Sequence, residues 1–224
     1  MIQYKYFVII LLSVMVFTAC GLDNYEAPQS ELHGKITYNG ETLGLRGTGE
    51  AVQLQLYQDG YELRDHIPVY VGQDGTFNAK LFDGEYKLVT RNQNGPWVNS
   101  RDTTVIKLNG STSIEVKVTP YFTISGTTIS LNGSQLNGAF TVNQVVQTAN
   151  IDYVMLLVSK TNFVDDVSYI ARQDFRGLGT GSLNLSMDLA GNQQVANAKA
   201  LFGRVGVRTV GTDQAIYSEV VRLK

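Results

Sequence analysis

Asp74-Gly75-Thr76-Phe77-Asn78-Ala79-Lys80-Leu81-Phe82-Asp83-Gly84-Glu85-Tyr86-Lys87-Leu88 is the stretch that decides the fold. Two Asp-Gly pairs punctuate it. Such pairs tolerate the positive φ that a tight hairpin demands. After the first pair, Phe77, Ala79 and Leu81 recur at a spacing of two. After the second, Tyr86 and Leu88 do the same. A period of two puts these side chains on one face of an extended chain. The stretch therefore predicts a strand at 76–81, a turn, and a strand at 84–90, each with one buried face.

The same grammar runs outward in both directions. Asp-Gly also occurs at Asp59-Gly60. Asn-Gly occurs at Asn39-Gly40, Asn94-Gly95, Asn109-Gly110, Asn132-Gly133 and Asn137-Gly138. Turn signals between short apolar stretches predict many antiparallel strands. Val52, Leu54 and Leu56 face one way, with Gln53, Gln55 and Tyr57 opposite. Ile114, Val116 and Val118 alternate with Glu115, Lys117 and Thr119. Seven strands follow in the first half, at 31–38, 51–57, 66–71, 76–81, 84–90, 102–108 and 112–119. Proline donates nothing to a sheet ladder, so Val118-Thr119-Pro120-Tyr121 marks a boundary. Beyond it, strands are expected at 121–131, 137–147, 150–159, 166–174, 183–189, 201–209 and 215–223. Tyr153 to Val158 (YVMLLV) is apolar on both parities, as a strand buried on both faces would be. Val205 and Val207 alternate with Arg204 and Arg208. Residues 190–200 allow a single helical turn, and no long helix is expected.

Composition agrees. Charged residues are 17% of the chain. Gly, Asn, Thr and Ser abound, which favours sheets with tight turns. No cluster of Lys and Arg stands out, so nucleic-acid binding is not expected.

Several of these residues resemble known families. His33-Gly34-Lys35-Ile36, Val52-x-Leu54-x-Leu56 and the opening stretch resemble the carboxypeptidase regulatory-like domain, a seven-stranded sandwich similar to transthyretin. The ending, from Phe202-Gly203-Arg204-Val205-Gly206-Val207-Arg208 through Tyr217-Ser218-Glu219-Val220, resembles the last strands of a fibronectin type III or immunoglobulin-like sandwich. The expected fold is all-β: two tandem seven-stranded sandwiches, at 31–119 and 120–224.

The N-terminus predicts where the protein works. Lys5, then the apolar run Phe7 to Phe17, then Thr18-Ala19-Cys20 read as a secretory leader at 1–19. The apolar run is too short to span a bilayer comfortably. Thr-Ala-Cys resembles the lipobox of bacterial lipoproteins, which implies cleavage before Cys20 and acylation of its thiol. Residues 20–30 then form a polar tether carrying Asp23 and Glu26. That acidic segment resembles the surface-export signal of Bacteroidetes-type lipoproteins, with the periplasmic face as the alternative. Cys20 is the sole cysteine, so the mature protein has no disulfide and must be held by packed cores. Lipobox, regulatory-like domain, Asn94-Gly95-Pro96-Trp97, the Val-Thr-Pro-Tyr junction and the Ig-like domain together resemble two-domain Bacteroidetes lipoproteins of unassigned function. The resemblance implies an association with outer-membrane glycan-uptake systems of the starch-utilisation type.

Chemistry is sparse. His33 and His66 lack partners at metal or triad spacing. Gly177-x-Gly179-x-Gly181 has no helix after it to aim amides at phosphate. Asp152, Asp165 and Asp166 lack the ligand periodicity of a calcium loop. No catalytic residue, metal or cofactor is assigned. If strands alternate in direction, loops 39–50, 72–75 and 91–101 sit at the domain junction. Trp97 and Tyr121 then lie there, either as a wedge or as a sugar-stacking surface. The same logic puts loops 132–136, 160–165 and 190–200 at the end farthest from the junction. Their amides, with Phe163 as a stacking face, suit sugar hydroxyls. The candidate ligand residues are Lys160, Asn162, Phe163, Asp165, Asn192 and Gln194, beside Asn132, Gln135 and Gln193. The expectation is a surface glycan-binding lipoprotein. The alternatives are an accessory subunit of an envelope complex, and a hydrolase.

Overall fold

The computed structural model describes residues 26–60, 62, 63 and 65–224. The leader, Cys20 and the start of the tether lie outside the described residues. The fold is all-β in two sandwiches, as the turn signals predict.

The first sandwich holds β1 (Ser30–Tyr38), β2 (Glu41–Thr42), β3 (Gln53–Tyr57), β4 (Ile67–Tyr70), β5 (Thr76–Leu81), β6 (Gly84–Thr90), β7 (Thr104–Leu108) and β8 (Ser111–Lys117). One sheet gathers β2, β5 and β8 around β1. The other runs β4-β3-β6-β7. Leu32, Ile36, Leu54, Leu56, Phe77, Tyr86, Leu88 and Ile106 meet between them, all essentially sealed from solvent. The opening stretch behaves as read. Asp74 Oδ1 accepts from the Thr76 N–H at 3.1 Å, and Gly75 takes φ +77°. A Cβ on Gly75 would lie 2.3 Å from the Leu43 carbonyl oxygen, so this turn needs glycine for two reasons.

The second sandwich holds β9 (Phe122–Asn132), β10 (Gln135–Gln144), β11 (Ile151–Ser159), β12 (Ala171–Phe175), β13 (Gly181–Asp188), α1 (Gln193–Ala196), β14 (Phe202–Thr209), β15 (Ala215–Tyr217) and β16 (Val221–Arg222). A three-stranded sheet, β13-β10-β9, faces a five-stranded one, β12-β11-β14-β15, with β16 also on β14. β11 is interior to its sheet and buried from Val154 to Ser159. Its even residues enter the sandwich core. Its outward Met155 and Leu157 pack with Val164, Ala215 and Tyr217 in a small second cluster.

Three strand expectations are corrected. The strand expected at 166–174 begins only at Ala171. Asp165 Oδ1 accepts from the Val167 and Ser168 N–H groups at 3.0 and 2.8 Å, which turns that segment out of the sheet. The strand expected at 215–223 splits into β15 and β16. At the break, the Ser218 carbonyl accepts from Arg204 Nε at 2.8 Å. The two-residue β2 was not foreseen; it gives the first half eight strands, and the β15/β16 split gives the second half eight, rather than seven each.

The linker is held on both sides. Val98 N–H donates to Thr119 O at 2.9 Å and Tyr121 N–H to Pro96 O at 3.1 Å. Val145 N–H donates to Tyr121 O at 3.0 Å. One connected apolar core runs from Leu45, Trp97 and Val118 into Phe122, Val142 and Val207.

Candidate functional site

The junction is built around a buried guanidinium. Arg204 lies on β14, opposite Leu157 and one rung from Gly206, on the outer face of the five-stranded sheet. It is 1% exposed. Its Nη1 donates to Leu45 O and Val164 O, both at 3.0 Å, and its Nη2 to Gln73 O at 2.8 Å. With Nε on Ser218 O, one side chain ties two loops of the first domain to two segments of the second. The Tyr217 ring lies 4.6 Å from its Cζ and supplies a cation–π face. Burial pushes the guanidinium down to about 10, which leaves it charged at neutral pH.

Asp165 completes the lock. Besides its own turn it accepts from Thr48 N–H at 3.1 Å and from Thr48 Oγ1 at 2.8 and 2.9 Å. Burial raises its carboxyl, but the hydrogen bonds from Ser168, Thr48 and Val167 outweigh that and hold it below the usual range. Tyr217 Oη donates to Asp166 Oδ1 at 2.9 Å; burial and then the Asp166 charge push the phenol well above its ordinary value. Tyr217 N–H donates to Gly44 O at 3.0 Å, a bridge between the domains. A Cβ on Gly44 would sit 2.3 Å from the Tyr217 carbonyl oxygen, so only glycine permits this approach.

Beside the lock opens a cleft of about 870 Å³. Tyr38, Asn39, Glu41, Thr42, Gln73 and Asp74 line it from the first domain. Thr123, Ser125, Thr127, Asn162, Tyr217 and Glu219 are among its second-domain residues. Hydroxyls, amides and carboxylates share the wall with apolar Leu43, Ile124, Ile216, Val220 and Val221, and Tyr38 is a half-buried aromatic. Gln73 Nε2 donates to Asn162 O at 2.9 Å, while Gln73 Oε1 is buried without a hydrogen-bond partner.

The structure divides the residues singled out in the sequence. Loop 160–165 does not stay at the far end. The outer face of β11 is apolar, so the chain doubles back over it, burying Val164 and bringing Asn162 and Asp165 to the junction. Phe163, 56% exposed, follows Asn162 in the chain, and Lys160 is exposed. Asp165 is spent on the lock and faces no solvent. Asn192 and Gln194 lie elsewhere, with Asn132, Gln135 and Gln193. Leu189 N–H donates to Ser134 O there, and the Asn192 side chain caps α1 through Gln194 N–H and Val195 N–H. Trp97 is 4% exposed and bridges to Pro120, with no ring face left for a sugar. Tyr121 is half-buried beside it.

The remaining chemical candidates have structural partners. His33 Nε2 lies 3.1 Å from Glu31, and His66 is exposed 6.0 Å from the Tyr57 ring. Asp152 pairs with Arg176. Gly177, Gly179 and Gly181 lead into β13, not a helix. Among the described residues, no three His, Cys, Asp or Glu side chains are placed to hold a metal ion, and no helix is long and apolar enough to cross a membrane.

The sequence marked Arg204 and Tyr217 only as strand residues, and Thr48 and Gln73 not at all. The available signal was indirect. YVMLLV demanded a cover on its outer face, and Arg204 shares that face.

The chain matches two family models. Residues 30–119 match a protein of unknown function (DUF3823) N-terminal domain, and residues 122–222 match the domain of unknown function DUF3823_C. A DUF3823 family protein from Parabacteroides merdae ATCC 43184 is 58% identical, with a TM-score of 0.86 over 89% of this chain and 100% of that one. One from Bacteroides ovatus ATCC 8483 is 31% identical, with a TM-score of 0.79 over 87% and 98%. A protein from Bacteroides uniformis ATCC 8492, described as a candidate carbohydrate-binding protein, shares the fold at 20% identity, with a TM-score of 0.73 over 88% and 99%. No curated protein matches. With both of its sandwiches matched, this chain belongs to the DUF3823 family.

Proposed function

We propose that this protein is a non-catalytic glycan-capture lipoprotein that holds polysaccharide in the cleft between its two domains. The observation that carries the reading is the cleft itself: about 870 Å³, lined from both domains by hydroxyls, amides and carboxylates set among apolar side chains. A sugar hydroxyl both donates and accepts, so it satisfies such a wall in many orientations. Exposed Asn162, on the cleft wall, offers an amide that both donates to and accepts from sugar hydroxyls. The Arg204 lock holds both walls in place, so little ordering cost falls on binding. The description of the B. uniformis relative agrees with this reading. The leader and Cys20 extend it: a lipid on Cys20 anchors the chain to the outer membrane, exposed at the cell surface, beside a glycan transporter.

The test is an affinity-gel screen of Asp23–Lys224 against a panel of neutral and acidic polysaccharides. Retention of one class is expected, weakened about tenfold by Asn162→Ala or Gln73→Ala, since a well-placed contact contributes about 1.4 kcal/mol. Trp97 is unsuitable as a probe because truncating it would damage the core. If no polysaccharide is retained, the accessory-subunit reading replaces this one, and crosslinking in membranes then identifies the partner.

A further inference from the structure

The outer face of the three-stranded sheet carries a second arrangement, distinct from the junction. Opposed residues in neighbouring strands project to the same side. The register therefore reads off the outward rungs. They are Asn132–Gln135–Asp188, Ser130–Asn137–Ser186, Thr128–Ala139–Asn184, Ser125–Thr141–Ser182 and Thr123–Asn143. The opposite parity, with Leu136, Phe140, Val142 and Met187, fills the core. Every outward residue is Ser, Thr, Asn, Gln or Ala, save Asp188 at one end.

Such a face is not ordinary solvent dressing. Exposed sheet faces are normally studded with Lys and Glu. The first domain does this: Lys35 pairs with Glu115 at 2.9 Å, Lys117 follows, and Glu85 and Lys87 mark β6. The second domain's face has no such pairs. Its side chains are short and mutually tied. Asn143 Nδ2 donates to Ser125 Oγ at 3.0 Å, and Thr141 Oγ1 lies 3.4 Å from Ser182 Oγ. At the centre, small Ala139 leaves a depression of about 320 Å³ rimmed by Thr128, Ser130, Asn137, Asn184 and Ser186.

The chemistry selects the occupant. A protein partner needs aromatic or aliphatic anchors at the centre of its interface, and the outward rungs of this face offer no apolar side chain larger than alanine. An anionic polymer needs Lys or Arg, which the face lacks. A flat lattice of neutral groups that both donate and accept matches a ligand of the same kind. The groups repeat about 4.8 Å across the strands and about 6.8 Å along them. We propose that this face is a second glycan-contacting surface, taking an extended, uncharged polysaccharide laid flat across β9, β10 and β13. Each sugar contributes little, and affinity accumulates along the chain. The inference shares its ligand class with the capture reading but not its site.

The experiment measures retention of Asp23–Lys224 on insoluble cellulose and mannan and in gels holding galactomannan. Thr128→Lys/Asn184→Lys places two long cations on exposed rim positions, and Ala139→Gln fills the depression without charge. Thermal melting checks that both variants fold. Both are expected to lose retention at least tenfold, and tetrasaccharides are expected to compete far less well than long chains. Full retention by both face variants, with loss in the cleft variants Asn162→Ala and Gln73→Ala, would overturn the second surface and leave the cleft standing. Retention abolished in the face variants but untouched in the cleft variants would support the face and sink the cleft. No retention by the wild-type chain overturns both.

Discussion

At the scale of single residues, the junction depends on groups that have exchanged water for fixed protein partners. Arg204 has replaced its hydration with four backbone carbonyls and a tyrosine ring. That is tolerable because a guanidinium is planar, weakly hydrated and rich in donors. Asp165 has done the same with amide and hydroxyl donors. Its folded-state pKa lies below its unfolded value of about 3.9, so its ionised form stabilises the fold. That contribution is fully present above the unfolded pKa and drains away as pH falls through the folded one. Asp165→Asn should therefore be less stable than wild type by an amount that is constant above about pH 5 and shrinks on acidification below about pH 4. Urea titrations of both proteins across that range check it. A gap that widened on acidification would contradict the lock.

At the scale of elements, the strands obey their alternation, and departures occur where a side chain captures backbone groups. Asp165 takes two N–H groups out of the sheet before β12, and Arg204 takes a carbonyl between β15 and β16. The loop that precedes β3 touches the edge of β15 through Gly44. Gly44→Ala would force its Cβ against the Tyr217 carbonyl and open that bridge. The expected cost is about 1–3 kcal/mol, the usual range for overpacking. Hydrogen exchange should show the Tyr217 N–H losing protection while amides at the centre of β11 keep theirs. Unchanged protection at Tyr217 would mean that the bridge does not couple the domains.

At the scale of the whole molecule, the linker is hydrogen-bonded on both sides and the apolar core is continuous through it. Two sandwiches built this way should unfold as one. Calorimetry of Asp23–Lys224 is expected to show one transition with matching calorimetric and van't Hoff enthalpies. Arg204→Met removes the pin and leaves four buried or part-buried carbonyls without their donor, so about 3 kcal/mol or more should be lost. The single transition should then separate into two. Two transitions already present in the wild-type chain would show that the domains are independent, and the cleft between them would then have no fixed shape.

Much of this was legible in the chain itself. Turn pairs such as Asp74-Gly75 and the period-two pattern around Phe77 and Tyr86 determined the strands, because a hairpin's φ and a strand's pleat are local properties. Pro120 marked the boundary for the same reason. The doubly apolar β11 announced that its outer face would be covered. What covers it was not readable, since the answer depends on contacts such as Thr48 to Asp165 and Leu45 to Arg204, which bring together groups 117 and 159 residues apart. Strand parity alone put loop 160–165 at the far end. Only packing of the uncovered Met155 and Leu157 drew that loop back to the junction, converting Asp165 from an expected ligand group into part of the lock between the domains.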